Sequence, residues 1–487
     1  MSRMVEEFWA HLNDWGDRLA LKDKEHCFSY RQLKEEVERR SQHLQALGAQ
    51  RIGLALDNGV EWILWDLAIV HARRVSVPIP GFFSAQQQRH VLENAGVDLL
   101  IYDRTSQASL PLGLFEPLQT LGMAQRVLAQ YPEVPVGTQK ITYTSGTTGQ
   151  PKGVCLSIEQ QLQVAKSLWQ ATECADIQRH LCVLPLATLL ENLAGVYSPL
   201  WGGACIEVSG LSEVGLSGAS GFEVQRFLTK LHQVQPNSLI LLPQLLLALV
   251  TAAEQGFLPP HRLSFIAVGG GHISRQLLER AEQQQLPVFE GYGLSECASV
   301  VCLNTPQARR LGTVGRPLAH VQLKLSEDQE VLVKGSSMLG YLGEPSSHSE
   351  WMTTGDLGQL DAEGFLQLKG RRKNQFITAY GRNLNPEWIE AELTQQSCIA
   401  QAWVYGEALP RNWAVLVPRG ATRTQAELQA AVDQVNAALP DYARIHHWLL
   451  EPQPFTADRG LTTANGRLRR MALFEHYRAQ LPLQPLV

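Results

Sequence analysis

"TYTSGTTGQPKGV", Thr142 to Val154, holds four threonines, a serine, three glycines and one lysine in thirteen residues. Such a stretch has little to bury in a core and cannot sustain a regular helix. Its glycines let backbone N–H groups approach an anion, its hydroxyls can donate, and its lysine neutralises charge. The stretch therefore reads as a phosphate-binding loop, although a flexible surface turn has the same composition.

The loop is not the P-loop of nucleotide triphosphatases. With Gly146 aligned as the first glycine, Pro151 stands where the next glycine belongs. Gly153 stands where the magnesium-binding hydroxyl belongs. Around the loop, apolar runs alternate with helical patterns. "RIGLAL" reads as a strand, "GVEWILWDLAIVHA" as a helix and "RVSVPI" as the next strand. "RLSFIAVGGG", "SRQLLERAEQQQ" and "LPVFEGYG" repeat the order strand, helix, strand. This alternation predicts an α/β fold with doubly wound sheets and helices on both faces. Ligands in such folds sit beyond the carboxyl ends of the strands, where Gly269 to Gly271 and Gly291 to Gly293 fall. The texture changes near Gly370. "GRRKNQF" is polar and basic, and "NPEWIEAELTQQ" reads as a helix capped by Asn385 with Pro386 in its first turn. A strand, "QAWVYG", and helices at "TQAELQAAVDQVNAAL" and "RRMALFEHY" complete a small α+β domain.

The chain's 487 residues, 45% of them hydrophobic, can build a large core and more than one domain. A net charge of −5 and scattered basic residues argue against nucleic-acid binding. The first residues lack the apolar core of a signal peptide. The greasiest stretch, "SLILLPQLLLALVTAA", is too short and too interrupted to span a bilayer. It reads mostly as core helix, with some residues available to line an acyl tunnel. Eight scattered cysteines without a CxxC pair favour reduced thiols, so a cytoplasmic location is expected.

"TSGTTGQPKG" (Thr144 to Gly153) closely resembles the glycine-rich loop of the adenylate-forming superfamily, which includes acyl- and aryl-CoA synthetases, luciferases and the adenylation domains of peptide synthetases. The resemblance implies that Thr144, Ser145, Gly146, Thr147, Thr148 and Gly149 grip ATP phosphates, with Lys152 among the catalytic residues. "VFEGYGLSECA" (Val288 to Ala298) resembles the family's YGxTE motif. It implies that Glu290, Gly291, Tyr292, Gly293 and Ser295 contact ATP, that Tyr292 stacks on adenine, and that Glu296 helps hold Mg²⁺. "AVGGGHIS" resembles the strand end lining the adenine pocket, which places Gly269, Gly270 and Gly271 there. "WMTTGDLGQLDAEGFLQLKGRRKNQF" (Trp351 to Phe376) matches most specifically. Asp356, expected in a loop at a strand end, would accept bonds from the ribose hydroxyls, Arg371 would assist, and Lys373 would mark the hinge.

"FITAYGRNLNPEWIEAEL" resembles the opening of the family's C-terminal domain, and puts Gly381 on the loop that serves thioester formation. "GLTTANGRLRR" resembles the terminal motif that carries a catalytic lysine. Arg467 stands in that position here, and no lysine follows Lys373. The implied architecture is a large N-terminal domain of αβαβα layers with a small β-subdomain over 1–370, a hinge over 371–375 and a mobile C-terminal domain over 376–487.

The implied chemistry has two steps. A carboxylate attacks the α-phosphate of Mg·ATP to give an acyl-adenylate and pyrophosphate; the thiol of CoA then takes the acyl group and releases AMP. "VLPLATLLENLAGVY" lacks the Asp that pairs with amino-acid substrates and has Thr188 where many relatives carry a His. The closing motifs look most like those of long-chain acyl-CoA synthetases, which points to a medium- or long-chain fatty acid. Two alternatives stay open: an acyl carrier protein as acceptor, and a degenerate member that binds without turnover.

Overall fold

A computed structural model of the chain describes residues 3–103, 110–120, 122–144, 151–218, 221–344, 349–420, 423–464 and 466–481. Two large sheets carry the first three quarters of the chain. A nine-stranded sheet has at its centre the parallel strands Arg179–Leu181, Ser238–Leu241, Phe265–Val268 and Val288–Leu294. An eight-stranded sheet includes Arg51–Ala55, Val75–Pro78 and Lys140–Thr144 in parallel. Apart from one leucine-rich stretch, each expected strand and helix named above appears within a few residues of its predicted span.

The helix Val60–His71 shows why the two sheets stack. Nearly all of its residues are buried, including Trp62, Leu64 and Leu67. A helix that is apolar all round needs cover on every side. It shares one continuous core with Ile52 and Leu54 of one sheet and Phe265 and Phe289 of the other. A polar knot sits inside this layer. The fully buried Lys140 ammonium reaches Asp66 at 3.0 Å and Asn192 at 2.5 Å, while Ser76 and Tyr197 donate to Asp66 at 2.8 and 3.0 Å. Every buried charge there has a partner, which satisfies the condition for keeping it in a core.

The stretch "SLILLPQLLLALVTAA" differs from the core-helix reading. Ser238–Leu241 is a strand, and the helix begins at Pro243. Proline cannot donate to a central ladder but fits the first helical turn, so it switches the element there.

Four antiparallel strands, Gln322–Leu325, Glu330–Lys334, Met352–Leu360 and Leu366–Arg371, form the smaller sheet expected before the hinge. A short 3₁₀ turn, Arg372–Asn374, leads into the last part of the chain. There Ile399–Tyr405, Asn412–Pro418 and Ile445–Leu450 make a three-stranded sheet packed by the helices Pro386–Thr394 and Gln425–Ala438. Asn385 caps the first of these helices by accepting from the Glu387 N–H. The buried carboxylate of Glu390 receives Arg470 at 2.5 Å and ties the final helix, Arg470–Tyr477, to this unit. No helix among the described residues is long and apolar enough to cross a membrane.

Candidate active site

The strand Lys140–Thr144 and the strand Lys152–Leu156 pair antiparallel, with Thr144 opposite Lys152. The stretch is therefore followed by a strand paired back on the one before it, and not by the helix that follows a P-loop. Ser145, Gly146, Thr147, Thr148 and Gly149 lie outside the described residues; Thr144 and Lys152 line the cleft at the loop's two ends. Lys152 pairs with Glu344 at 2.9 Å and sits 5.2 Å from the centre of the Tyr341 ring. Tyr341 in turn donates to Glu296 Oε1 at 2.8 Å. A cation, a phenol and a carboxylate thus form a chain beside the loop. Neither Tyr341 nor Glu344 belongs to a motif that made it visible in the sequence.

The strand Val288–Leu294 brings Glu290, Gly291, Tyr292 and Gly293 to the same cleft, and a single 3₁₀ turn presents Ser295 and Glu296. Gly293 is required by close approach: a Cβ there would lie 1.7 Å from the Ser299 carbonyl oxygen. Ala298 and Ser299 complete the turn at φ +52° and +94°, backbone that L-residues seldom adopt. Glu290 is buried, and burial lifts its carboxyl to about 8 against the opposing Gly312 N–H and Arg309. Gly269, Gly270 and Gly271 line the cleft beyond the carboxyl end of the strand Phe265–Val268.

Asp356 does not lie in a loop. It sits within the strand Met352–Leu360, is 6% exposed, and stands in register opposite Arg371. Its carboxylate accepts from the Tyr292 hydroxyl at 2.7 Å and meets Arg371 Nε at 3.0 Å. Burial raises its pKa, and Arg371 and Tyr292 work in the opposite direction. A strand places it because the antiparallel register fixes both partners, which a loop would leave adjustable.

Two elements of the C-terminal unit close over this cleft. Ala464 is buried in the cluster that includes Phe83, Tyr143 and Leu342 of the large domain. That docking brings Arg467 into the field of Arg371, Glu387, Asp356 and Glu296. Solvent still reaches Arg467 through the cleft, yet the surrounding protein, followed by Arg371, pulls its pKa down from the ordinary guanidinium value. Lys373 behaves alike, lowered by burial and then by Arg371 and Arg467. Three cations therefore converge beside Asp356, an arrangement suited to an anion. Glu387, on the first turn of its helix, accepts from Asn374 at 2.7 Å and faces His272 across the cleft. Gly381 is exposed at φ +70°, and open space surrounds the position of its missing Cβ.

The cleft continues as one cavity of about 2990 Å³. It passes Thr188, Leu189, Leu190, Ala194, Ala267 and Val300, most of them apolar. His180, Cys182 and Glu191, buried beside it, bring possible ligand atoms within 4.8 Å of one another. Those groups are already engaged: His180 bonds Ser238 at 2.8 Å and Glu191 at 3.0 Å, and Glu191 accepts from the Leu184 N–H at 2.8 Å. They clamp the segment 183–190 that forms the cavity wall.

The chain matches the AMP-binding enzyme family over residues 8–342 and the AMP-binding enzyme C-terminal domain over residues 373–482. It belongs to this adenylate-forming family and is an AMP-forming acyl-CoA ligase of it. It is 25% identical over 548 residues to a long-chain-fatty-acid–CoA ligase of Mycobacterium bovis, with 90% of this chain and 89% of the relative covered. It is also 26% identical over 427 residues to a 2-succinylbenzoate–CoA ligase of Bacillus cytotoxicus, covering 80% and 83%. An anthranilate CoA ligase solved with anthranoyl-AMP shares its fold at a TM-score of 0.80 and 18% identity, over 97% of this chain and 98% of the other. The o-succinylbenzoate CoA synthetase of Bacillus subtilis, solved with its acyl-adenylate, superposes at 0.75 and 22% identity, over 96% and 97%.

Proposed function

We propose that the protein activates a medium- or long-chain fatty acid with ATP and passes the acyl group to CoA. The observation that carries the choice of acid is the cavity branch beside the nucleotide cleft. At Leu189, Leu190, Ala194, Ile240, Ala267 and Val300 its walls are apolar, although Arg18, Arg275 and Arg280 line the same cavity elsewhere. A 2-succinylbenzoate carries a second carboxylate, which would lie there without a partner, at a cost of several kcal/mol, roughly, for a buried charge. A saturated chain fills the same walls and gains about 0.8 kcal/mol per buried methylene.

In this reading Asp356 and Arg371 hold the ribose, and Tyr292 and Gly269 to Gly271 flank the adenine. Thr144 to Gly149 cradle the phosphates with Lys152 at the loop's edge. Glu296 offers hard oxygen ligands that fit Mg²⁺ entering with ATP, which would offset phosphate charge. Arg467 stabilises negative charge as the acid's oxygen attacks the α-phosphorus and pyrophosphate leaves. The thiol sulfur then attacks the acyl carbon, and AMP departs. Residues 371–375 serve as the hinge, and 376–487 turn about it so that Gly381 replaces Arg467 at the site.

A panel of octanoate, palmitate, 2-succinylbenzoate and anthranilate, scored by ATP-dependent pyrophosphate release and by acyl-CoA formation, tests the proposal. Fatty acids are expected to exceed both aromatic acids by at least tenfold in kcat/KM. An aromatic acid as the best substrate overturns it, and transfer to a holo carrier protein in preference to CoA overturns the acceptor.

A further inference from the structure

We propose that the acyl cavity is a channel open at both ends, with a second mouth between Trp15 and Trp169 where the ω-end of a long alkyl chain emerges. The proposal rests on the fatty-acid reading of the site.

The cavity does not stop behind the nucleotide cleft. Its lining follows the sheet face from Gly269–Gly271 back past Ala267 to Phe265, with Ile240 and Ser238 in register beside them. The strand Phe265–Val268 by itself covers about 10 Å at strand rise, and the lining continues beyond both of its ends, enough wall for much of a long-chain tail. The opposite wall is Leu190, Ala194, Ser198 and Gly202, one residue in every four. This wall starts in a π-helical segment, Leu190–Tyr197, whose wider turn brings residues so spaced close to one face. Three of the four are small, which leaves room between helix and sheet. The polar atoms that the path meets at Ser238 and His180 bond each other, and His180 also bonds Glu191, so the wall makes no demand on an alkyl chain.

The lining ends at the amino ends of the strands, on the side of the sheet opposite the nucleotide. Two indoles frame that end, each seated on a glycine. A Cβ on Gly202 would stand 3.0 Å from Trp169, and one on Gly203 would stand 2.4 Å from Trp15. Trp169 is further fixed by stacking on Trp201 at 6.1 Å. Around the indoles lies a polar rim: Arg18 donates to Gln178 at 2.5 Å and sits 5.2 Å over the Trp15 ring, with Glu173 and Asp176 exposed beside it. Indoles beside a polar rim suit a chain end that passes from apolar wall to water.

A closed pocket would reject each methylene beyond its floor, whereas an open channel tolerates them. Palmitate bearing an ω-diazirine, irradiated with the full-length protein, ATP and Mg²⁺ and mapped by peptide mass spectrometry, decides between them. Label on Trp15–Arg18, Trp169–Gln178 or Gly202–Ala204, suppressed by excess palmitate, is expected. Label confined to Leu190–Ala194 or to the nucleotide cleft, or label that palmitate does not suppress, overturns the channel. Ser198→Phe narrows the path midway and should lower the palmitate-to-octanoate ratio of pyrophosphate release at least tenfold. An unchanged ratio in the folded variant also overturns it. Absence of turnover with every fatty acid would instead overturn the fatty-acid reading, while the photolabel reports on the channel without turnover.

Discussion

The Tyr292 hydroxyl donates to Asp356 Oδ2 at 2.7 Å and so ties the carboxyl end of the nine-stranded sheet to the four-stranded sheet. The two residues stand 64 positions apart in the chain, and their bond fixes where the two halves of the proposed nucleoside site meet. Removing it should affect both binding and stability. Asp356→Ala is expected to weaken ATP binding by roughly 1.5–3 kcal/mol, the range for hydrogen bonds to a charged group. Because Asp356 is buried and Arg371 loses its partner, the variant should also melt lower. Calorimetry with ATP and a thermal melt measure the two effects, and unchanged ATP affinity would remove Asp356 from the site.

Arg467 is expected to act only in the first half-reaction. Arg467→Ala should cost roughly 10²–10³-fold in adenylation, the loss of one preorganised charge-stabilising donor. Conversion of a supplied acyl-adenylate to thioester should stay near the wild-type rate. Arg467→Lys should recover much of the adenylation, since the compact ammonium also carries the charge. Rates for each half-reaction, measured separately, decide the matter; an Ala variant that adenylates normally would show that this arginine is not the family lysine's replacement.

Gly381 faces open space at φ +70°, so substitution meets backbone strain and no clash in the docked arrangement. Gly381→Ala should therefore cost about 1 kcal/mol of stability. Gly381→Leu should slow thioester formation strongly while leaving pyrophosphate release nearly intact. Equal loss of both half-reactions would indicate general damage to the small domain.

Glu290 gives stability a pH dependence of definite sign. Its carboxyl titrates near 8 when folded, above the 4.5 of a free glutamate. Between those values the folded state keeps a proton that the unfolded state has released, so stability falls as pH rises, by at most about 1.4 kcal/mol per pH unit. The contribution is fully present below the unfolded value and lost as pH passes the folded one. Glu290→Gln should flatten this slope in denaturant melts across that window and should gain on the wild type at its alkaline end. Parallel curves for the two proteins would mean that Glu290 is ionised when folded.

The sequence by itself determined the family and named many of the residues that the fold brings to one cleft. "TGDLG", "EGYGLSE" and "NGRLRR" combine residue types that phosphate, ribose and magnesium require, and chemistry of that kind is written locally. It also determined the strand–helix alternation, since hydrophobic period is a short-range property. What depends on distant partners stayed hidden. Asp356 read as a loop residue because the register that pairs it with Arg371 and the packing that brings Tyr292 to it are long-range. Tyr341 and Glu344 carry no motif, and only strand pairing beside Lys152 brings them to the site. The leucine-rich run split into strand and helix because a parallel sheet with cover on both faces takes continuous apolar strands, which local pattern does not separate from buried helix. The path from the nucleotide cleft to Trp15 and Trp169 exists only through packing, for it is made of small residues on a helix face and a sheet face that no stretch of sequence places together.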